Sequence, residues 1–539
     1  MVLSSQLFIC LLAARSFLGV FSTPTVASSG SVDVTLKTGV FRDSWLGIPY
    51  AQSPEGSLRF KAPVPITNAS TGVQYAYSFG DACPQPATSS IGANISENCL
   101  NLNVWRPNGT SLDAKLPVLV WHYGGAYMIG AASDPSYNPT RIISQSVSMG
   151  KPLIFVSVNY RVNTFGFLAS SDIPPEDLNA GFWDIHAALE FVQENIASFG
   201  GDPSKVTIWG QSAGAGAVEA QLLFTPTPAP FRAVIADSST GPMKNAPYAY
   251  QYDKPGEPYY RLLEATNCTA GPTSVACLQK LPYEVLANIS NAMIDNTLNQ
   301  QLWQPSIGPA GSFMPERPSE RILSGNFPNL PYLGGTNLNE GTLFSQSVFN
   351  LSLPSSEQTA AFDSFIEHLV IDNSTLTTSV MQGIDQYFPV NDTSYGGLYH
   401  TGDMLFDRSE AWYTDSMFLA PRRYLFEHTA SRLPMYSYYF TEYIPGNPID
   451  LGVYHASELS LLFGPVPNPV ENTFANQMLS YWISFVNDLS PADDWPKYDP
   501  SAPQVMQLMR DNVTLIPDDF SLNRTEYLST PALLNAFEK

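Results

Sequence analysis

The chain has 539 residues, enough to bury a large core, so folding needs no metal or disulfide scaffold to compensate for small size. Hydrophobic residues make up 44% and charged residues 14%, a globular composition that excludes a disordered chain. The formal net charge of −22 disfavours nucleic acid and anionic membrane as partners, because both repel an acidic surface, and suits solubility in a crowded or acidic medium.

The first residues, MVLSSQLFICLLAARSFLGVFSTPTVASSG, read as a secretory signal. Its apolar core runs from Leu7 to about Val20, with Arg15 inside it and no basic side chain before it. Cleavage is expected after Ser22, or as late as Ser28, which leaves one domain from residue 29 to residue 539 and predicts a secreted protein. Length alone allows about two to four domains, but no repeat, low-complexity tract or linker divides the chain, and the motif spacing below argues for one. No later run is long and apolar enough to cross a bilayer, and the C-terminal TPALLNAFEK has neither a hydrophobic tail nor a retention signal, so no stable membrane anchor is expected. Cys10 goes with the signal, leaving Cys83, Cys99, Cys268 and Cys277. Four cysteines allow three pairings, and proximity along the chain favours Cys83–Cys99 and Cys268–Cys277. N-x-S/T sequons stand at Asn68, Asn94, Asn108, Asn267, Asn288, Asn350, Asn373, Asn391, Asn512 and Asn523, and a secretory route predicts that several carry glycans.

In chain order, LPVLVWH (116–122), PLIFVSVNY (152–160), KVTIWG (205–210), RAVIAD (232–237), PYLGGTN (331–337) and LPMYSYYF (433–440) read as buried strands. Between the second and third, Ile185, Leu189, Val192 and Ile196 fall on one face of a helix that stops at Gly200-Gly201. NQMLSYWISFVNDLSP is a second amphipathic helix near the C-terminus. Strands alternating with helices predict an α/β fold with a parallel sheet covered on both faces, whose ligands bind outside the carboxyl ends of the strands.

Gly210-Gln211-Ser212-Ala213-Gly214 fits G-x-S-x-G and sits where that motif has mechanical meaning, after a strand and at the start of a helical run over 213–223. A sharp strand-to-helix turn leaves no room for side chains beside Ser212, and the helix start offers the Ala213 amide to a developing oxyanion. No G-K-[ST] follows, which excludes a phosphate loop. A nucleophilic serine needs a base, and the base a carboxylate to orient it. Six histidines are present; His455, in GVYHASELSLLFG, lies downstream of Ser212, and Glu340, in YLGGTNLNEGTLF, lies between them after a strand. The order Ser, Glu, His is that of α/β-hydrolases. His122 and His186 read as core or turn histidines, and His368, His400 and His428 have unremarkable surroundings. The glycine cluster in VWHYGGAYMIG follows a strand and can present backbone amides to a substrate oxygen; it lacks the G-x-G-x-x-G spacing of a dinucleotide site. No run has metal-ligand spacing, and no cofactor is expected.

Nearly end to end, the chain resembles the type-B carboxylesterase/lipase family, which includes cholinesterases and secreted fungal lipases. The resemblance rests on WLGIPYAQSPEGSLRF (45–60), SENCLNLNVW (96–105), YGGAY (123–127), VNYRVNTFGFL (158–168), NAGFWDIHAALEFVQENIASFGGDPSKVTIWGQSAGA (179–215), GTNLNEGTLF (335–344), HASELSLLFG (455–464) and WPKY (495–498). It implies the α/β-hydrolase fold, Ser212 as nucleophile, Glu340 as acid and His455 as general base, with the Gly125, Ala126 and Ala213 amides as oxyanion donors. It supports the two local disulfide pairings, and implies that Arg161 with Asp184, and Arg59 with Glu97, are structural ion pairs rather than substrate ligands. Three departures stand out. Ala126 replaces a usual glycine, Gln211 replaces a usual glutamate beside the nucleophile, and Ser238 in ADSST lies where family members have Q-S-G.

The reaction implied is two-step acyl transfer on a small-molecule ester, with water resolving the acyl-enzyme. The Cys83–Cys99 loop encloses only PQPATSSIGANISEN, with few large apolar residues where family lipases carry a longer amphipathic flap, and without the tryptophan that cholinesterases hold there. A carboxylesterase acting on soluble or modest-chain esters is therefore favoured, with lipase second. A tailoring esterase, acyltransferase or cyclase is a further alternative, and a non-catalytic binding protein comes last.

Overall fold

The computed structural model of the chain describes residues 42–66, 74–239, 241 and 246–538; the expected signal, the residues at the start of the domain and Asn68 lie outside them. Ten strands form one sheet in the order β1-β2-β4-β3-β5-β6-β7-β8-β9-β10. They are β1 (Arg42–Pro49), β2 (Asn101–Pro107), β3 (Leu116–His122), β4 (Ile154–Val158), β5 (Gly201–Gln211), β6 (Ala233–Asp237), β7 (Tyr332–Asn337), β8 (Met435–Phe440), β9 (Gln504–Leu508) and β10 (Thr514–Pro517). From β4 to β9 every neighbouring pair is parallel, while the β1–β2, β2–β4 and β9–β10 pairs are antiparallel.

The six apolar runs of the sequence are β3 to β8. β2 escapes an apolar reading because its buried positions include asparagines. Asn103 donates to Ser157 Oγ on β4 at 3.0 Å and accepts from the Gly47 amide on β1 at 2.9 Å, so a polar residue inside the sheet has its partners. β10 is short and largely solvent-facing, as suits an edge.

Side-chain alternation along the central strands builds two cores. Val118, Val120, Val206 and Ile208 point to one face, where they meet Ile185, Leu189 and Val192 of helix α1 (Ala180–Asn195) and Val218 of helix α2 (Ala213–Phe224). Leu119, Trp121 and Trp209 point to the other face, against Met478, Leu479 and Trp482 of helix α3 (Asn472–Asp488). Both faces are apolar because helices cover both. The helix read from Ile185 to Ile196 runs as α1 and finishes in a 3-10 turn, Ile196–Phe199, closed by Gly200 at φ 86°. A third apolar cluster around Phe362, Trp412 and Phe418 caps the sheet beyond β7.

Four ties hold the segments before and after the central strands. Arg161, just after β4, grips Asp184 of α1 through two bonds of 2.8 and 2.6 Å, with both side chains buried. Arg59 grips Glu97 the same way, at 2.6 and 2.7 Å, and donates to the Leu281 carbonyl at 2.9 Å. Removing one partner of such a pair strands a buried charge. Disulfides join Cys83 to Cys99 and Cys268 to Cys277. Among the described residues no helix is long and apolar enough to cross a membrane.

Among the described residues, several carboxyl groups are buried without a cation. Burial pushes Asp237 up to about 7, although Trp209 Nε1, Trp482 Nε1 and the Tyr438 hydroxyl all donate to it. Burial likewise takes Glu219, which accepts from the Tyr332 hydroxyl, to about 7, and Glu410 to about 8. Each binds its proton more tightly folded than unfolded. The stability it contributes is therefore complete below the unfolded carboxyl value near 4 and is lost as pH rises through the folded value. The melting temperature should be higher at about pH 5 than at about pH 8, and Asp237→Asn, neutral at both, should narrow the gap. Scanning fluorimetry across that range checks this; a melting temperature that climbs toward pH 8 contradicts it.

Candidate active site

The chemistry-bearing residues all follow carboxyl ends of parallel strands, where such sheets place their sites. Ser212 follows β5 directly, with backbone angles φ 58° and ψ −125°, a region that costs a non-glycine residue about 1–3 kcal/mol. The surroundings enforce it. The Ser212 amide donates to the Asp237 carbonyl at the end of β6 at 2.9 Å, and its carbonyl accepts from Gly216 inside α2 at 2.9 Å. The flanking glycines are steric necessities: a Cβ on Gly210 would lie 2.2 Å from the Gly214 carbonyl oxygen, and one on Gly214 would lie 2.2 Å from that of His122. The turn thus lifts the serine off the strand, at the N-terminus of α2.

Glu340 lies in the turn after β7 and is fully buried. Its Oε1 accepts the Asn337 amide at 2.6 Å, which leaves Oε2 to accept from His455 Nδ1 at 2.6 Å. His455, 115 positions later, arrives there because its loop runs beside the acid turn. The Asn339 amide donates to the Val453 carbonyl at 3.0 Å, the Val453 amide donates to Asn339 Oδ1 at 3.1 Å, and Asn337 Nδ2 donates to the Tyr454 carbonyl at 2.9 Å. The rings of Phe344 and Phe418 pack on the imidazole, with centroids 5.2 and 4.8 Å away. With Nδ1 committed to the carboxylate, Nε2 is the basic nitrogen. It lies 3.3 Å from Gln211 Nε2, so the neutral carboxamide donates to it.

The turn after β3 is seated by a reciprocal tyrosine pair. Tyr123 OH donates to the Tyr160 carbonyl at 2.6 Å and Tyr160 OH to the Tyr123 carbonyl at 2.7 Å, with rings stacked 4.4 Å apart. Gly124 packs against the nucleophile turn, where a Cβ would come within 2.9 Å of the Ser212 Cβ. Among the described residues no acceptor is paired with the Gly125 or Ala126 amide. Ala126 holds φ 56°, so its methyl group occupies space that a glycine would leave open. Ala213 is the first residue of α2 and is buried.

These parts face one cleft of about 340 Å³, lined among others by Gly125, Ala126, Gln211, Ser212, Phe344 and His455. Thr88, Ser90 and Ile91 of the Cys83–Cys99 loop form part of its wall. The Ser133 hydroxyl holds the Ile91 carbonyl at 2.6 Å, and Gly92 packs on the Ser133 carbonyl, so this wall is part of the fold.

The other expected residues fall outside the cleft. His122 is fully buried, with burial lowering its pKa to about 4, so it stays neutral in the core. His186 sits on α1 beside Thr225, 3.2 Å away. Ser238 is buried at φ 51°, its hydroxyl without a partner among the described residues. The Arg161–Asp184 and Arg59–Glu97 pairs do not line the cleft. Among the described residues no group of His, Cys, Asp and Glu is placed to hold a metal ion. Nine of the ten sequon asparagines are described, and all nine are exposed.

Two buried acids were missed in the sequence. Glu458, three residues after His455, accepts from Asn337 Nδ2 at 2.6 Å; burial, then the Glu340 charge, push it well above the carboxylate range, so it is held neutral beside the Glu340–His455 pair. Asp237 lies under the nucleophile turn. The H-x-x-E spacing was the available signal for the first; for the second nothing local distinguishes a strand-end aspartate from a solvated one.

Residues 29–526 match the Carboxylesterase family. The chain is 32% identical to "Lipase 4" of Diutina rugosa, over 92% of this chain and 93% of the relative. It is 30% identical to "Secreted lipase 1" of Botryotinia fuckeliana, over 94% and 93%. A "Secreted triacylglycerol lipase" of Gibberella zeae is 29% identical over 91% and 87%. With its mostly parallel ten-stranded sheet and a family match across nearly its whole length, the chain belongs to the carboxylesterase family of α/β-hydrolases and is a carboxylic ester hydrolase.

Proposed function

We propose that the chain hydrolyses small-molecule carboxylic esters through an acyl-enzyme on Ser212, with His455 as general base and Glu340 orienting it. The observation that carries this reading is the 2.6 Å bond from His455 Nδ1 to a buried Glu340, with Ser212 raised on a strained turn in the same cleft. His455 Nε2 takes the Ser212 proton as Oγ attacks the ester carbonyl, and the tetrahedral oxyanion is received by the Gly125, Ala126 and Ala213 amides. His455 then returns the proton to the leaving alcohol, and water repeats the cycle on the acyl-enzyme. Glu340 fixes the tautomer and stabilises the imidazolium. The domain is one unit from residue 29 onward, exported by the N-terminal signal, in keeping with the relatives named as secreted, and glycosylated at exposed sequons.

Esters of modest chain length and polar alcohols are the favoured substrates. Part of the cleft wall is Thr88, Ser90 and Ile91, in a short loop with few large apolar side chains, and a lid that opens at oil would need a broad apolar underside. Triacylglycerol hydrolysis is the second reading, favoured by the names of the relatives. Gln211 bears on the alcohol as well, because a neutral amide beside His455 offers nothing to a cationic leaving group.

Three outcomes are expected. Ser212→Ala removes nearly all turnover of p-nitrophenyl esters and abolishes fluorophosphonate labelling while the melting temperature holds; substantial turnover in the purified variant refutes the nucleophile. In a panel graded by acyl length, kcat/KM peaks at short to medium chains, and tributyrin hydrolysis rises smoothly through the solubility limit; a sharp rise at that limit reverses the order in favour of lipase. Gln211→Glu places a carboxylate beside Nε2, favouring the protonated imidazole, which cannot act as base. The acidic limb of its kcat/KM profile should move to higher pH by roughly 1 unit, and an unmoved limb disproves the contact's role.

A further inference from the structure

The turn that carries the Gly125 and Ala126 amides does not hold itself. Gly125, Ala126, Tyr127 and Gly130 all have left-handed backbones, at φ 115°, 56°, 65° and 124°, and two of the four are not glycine. Its only internal backbone bonds in the described structure run from the Met128 and Ile129 amides to the Gly125 carbonyl, at 2.9 and 3.1 Å. Such a conformation persists only where the surroundings over-determine it. Its winding is also tight: a Cβ on Gly130 would fall 2.3 Å from the Tyr123 ring and 2.6 Å from the Gly124 carbonyl oxygen.

We propose that Gln85 is a positioning residue for the oxyanion site, its buried carboxamide gripping the end of this turn from the Cys83–Cys99 loop. The inference rests on the ester-hydrolase reading above. The Gly130 amide donates to Gln85 Oε1 at 2.8 Å, and Gln85 Nε2 donates back to the Gly130 carbonyl at 2.8 Å, so one side chain satisfies both polar groups of one residue. The second hydrogen of Nε2 goes to the Cys83 carbonyl at 3.0 Å, which anchors the carboxamide beside the disulfide. Asn163 ties the same two segments, its Nδ2 donating to the Met128 carbonyl at 3.0 Å and to the Pro84 carbonyl at 2.7 Å. The Asn163 amide adds a bond to the Tyr127 carbonyl at 2.7 Å. Gln85 is 4% exposed, so these bonds compete with little water.

Oxyanion stabilisation depends on where the amides point when charge develops, not on the ground-state ester. A turn freed at Gly130 still binds ester but presents the Gly125 and Ala126 amides at the wrong place, which lowers kcat and leaves KM nearly unchanged. A displacement of about 1 Å costs on the order of 100-fold. Gln85 also supplies a distinctive variant. In Gln85→Glu the carboxylate accepts the Gly130 amide but cannot donate to the Gly130 carbonyl, whereas the protonated acid can do both.

The test uses the full secreted enzyme with p-nitrophenyl butyrate and a trifluoromethyl ketone that forms a tetrahedral adduct on the serine. Gln85→Ala should lose roughly 10- to 100-fold in kcat with KM within about threefold, and adduct affinity should fall by the same factor as kcat. Gln85→Glu should show a kcat that recovers toward the wild-type value as pH falls. Unchanged kcat and adduct affinity in folded Gln85→Ala, even with a lowered melting temperature, overturn the proposal and leave Gln85 a purely structural clamp. Should Gln85→Ala not fold, Gln85→Glu decides alone: a kcat ratio to wild type that does not change with pH overturns it. Loss of turnover in Ser212→Ala keeps these results separate, because turnover surviving there removes the ester-hydrolase mechanism itself.

Discussion

The hydrogen bond from His455 Nδ1 to Glu340 Oε2 is the contact on which the rest of the site depends. A histidine without its carboxylate has neither a fixed tautomer nor a fixed ring plane. That bond is not held by its two residues alone. Asn337 donates its backbone amide to Glu340 and its side-chain amide to the Tyr454 carbonyl and to Glu458, while Asn339 pairs with Val453 on both sides. Two loops that are far apart in the chain behave as a short, irregular extension of the β7–β8 parallel pair. The same register logic aligns Ser212, whose amide closes on the end of β6.

Around this contact the protein keeps charge scarce. Glu458 is held neutral by burial and by the charge of Glu340, and Asp237 sits among two indoles and a phenol rather than beside a cation. Gln211 adds an amide where a carboxylate would add a charge. The low-dielectric surroundings strengthen the interactions that remain, because fixed dipoles act on developing charge with less screening by water. Burial raises Asp237, Glu219 and Glu410 in the same way, so each binds its proton more tightly in the fold.

Much of the fold and of the site was legible in the sequence. The six central strands announce themselves as apolar runs because helices bury both their faces, and the helix with Ile185, Leu189 and Val192 has the period of an apolar stripe. The glycines around Ser212 read correctly because their spacing records a steric fact that holds wherever a strand turns sharply into a helix. The outer strands β1, β2, β9 and β10 did not read in this way. β2 carries buried asparagines whose partners come from β1 and β4, and no local pattern reports a partner 54 residues away. Gln85 was equally invisible: it looks like one polar residue in a polar loop until the fold brings Gly130 against it.

By itself the sequence determined the strand-turn-helix at Ser212 and the alternation that makes a parallel sheet. These follow from local sterics and from periodicity, which travel with the chain. Only the tertiary structure decided that Asn337, Asn339 and Val453 weld the turn after β7 to the His455 loop, that Gln211 faces His455 Nε2, and that Gln85 grips the turn after β3. Those contacts are hydrogen bonds between polar groups distant in sequence, and their strength comes from burial. Burial belongs to the packed molecule, because it arises only when both partners have lost their water together.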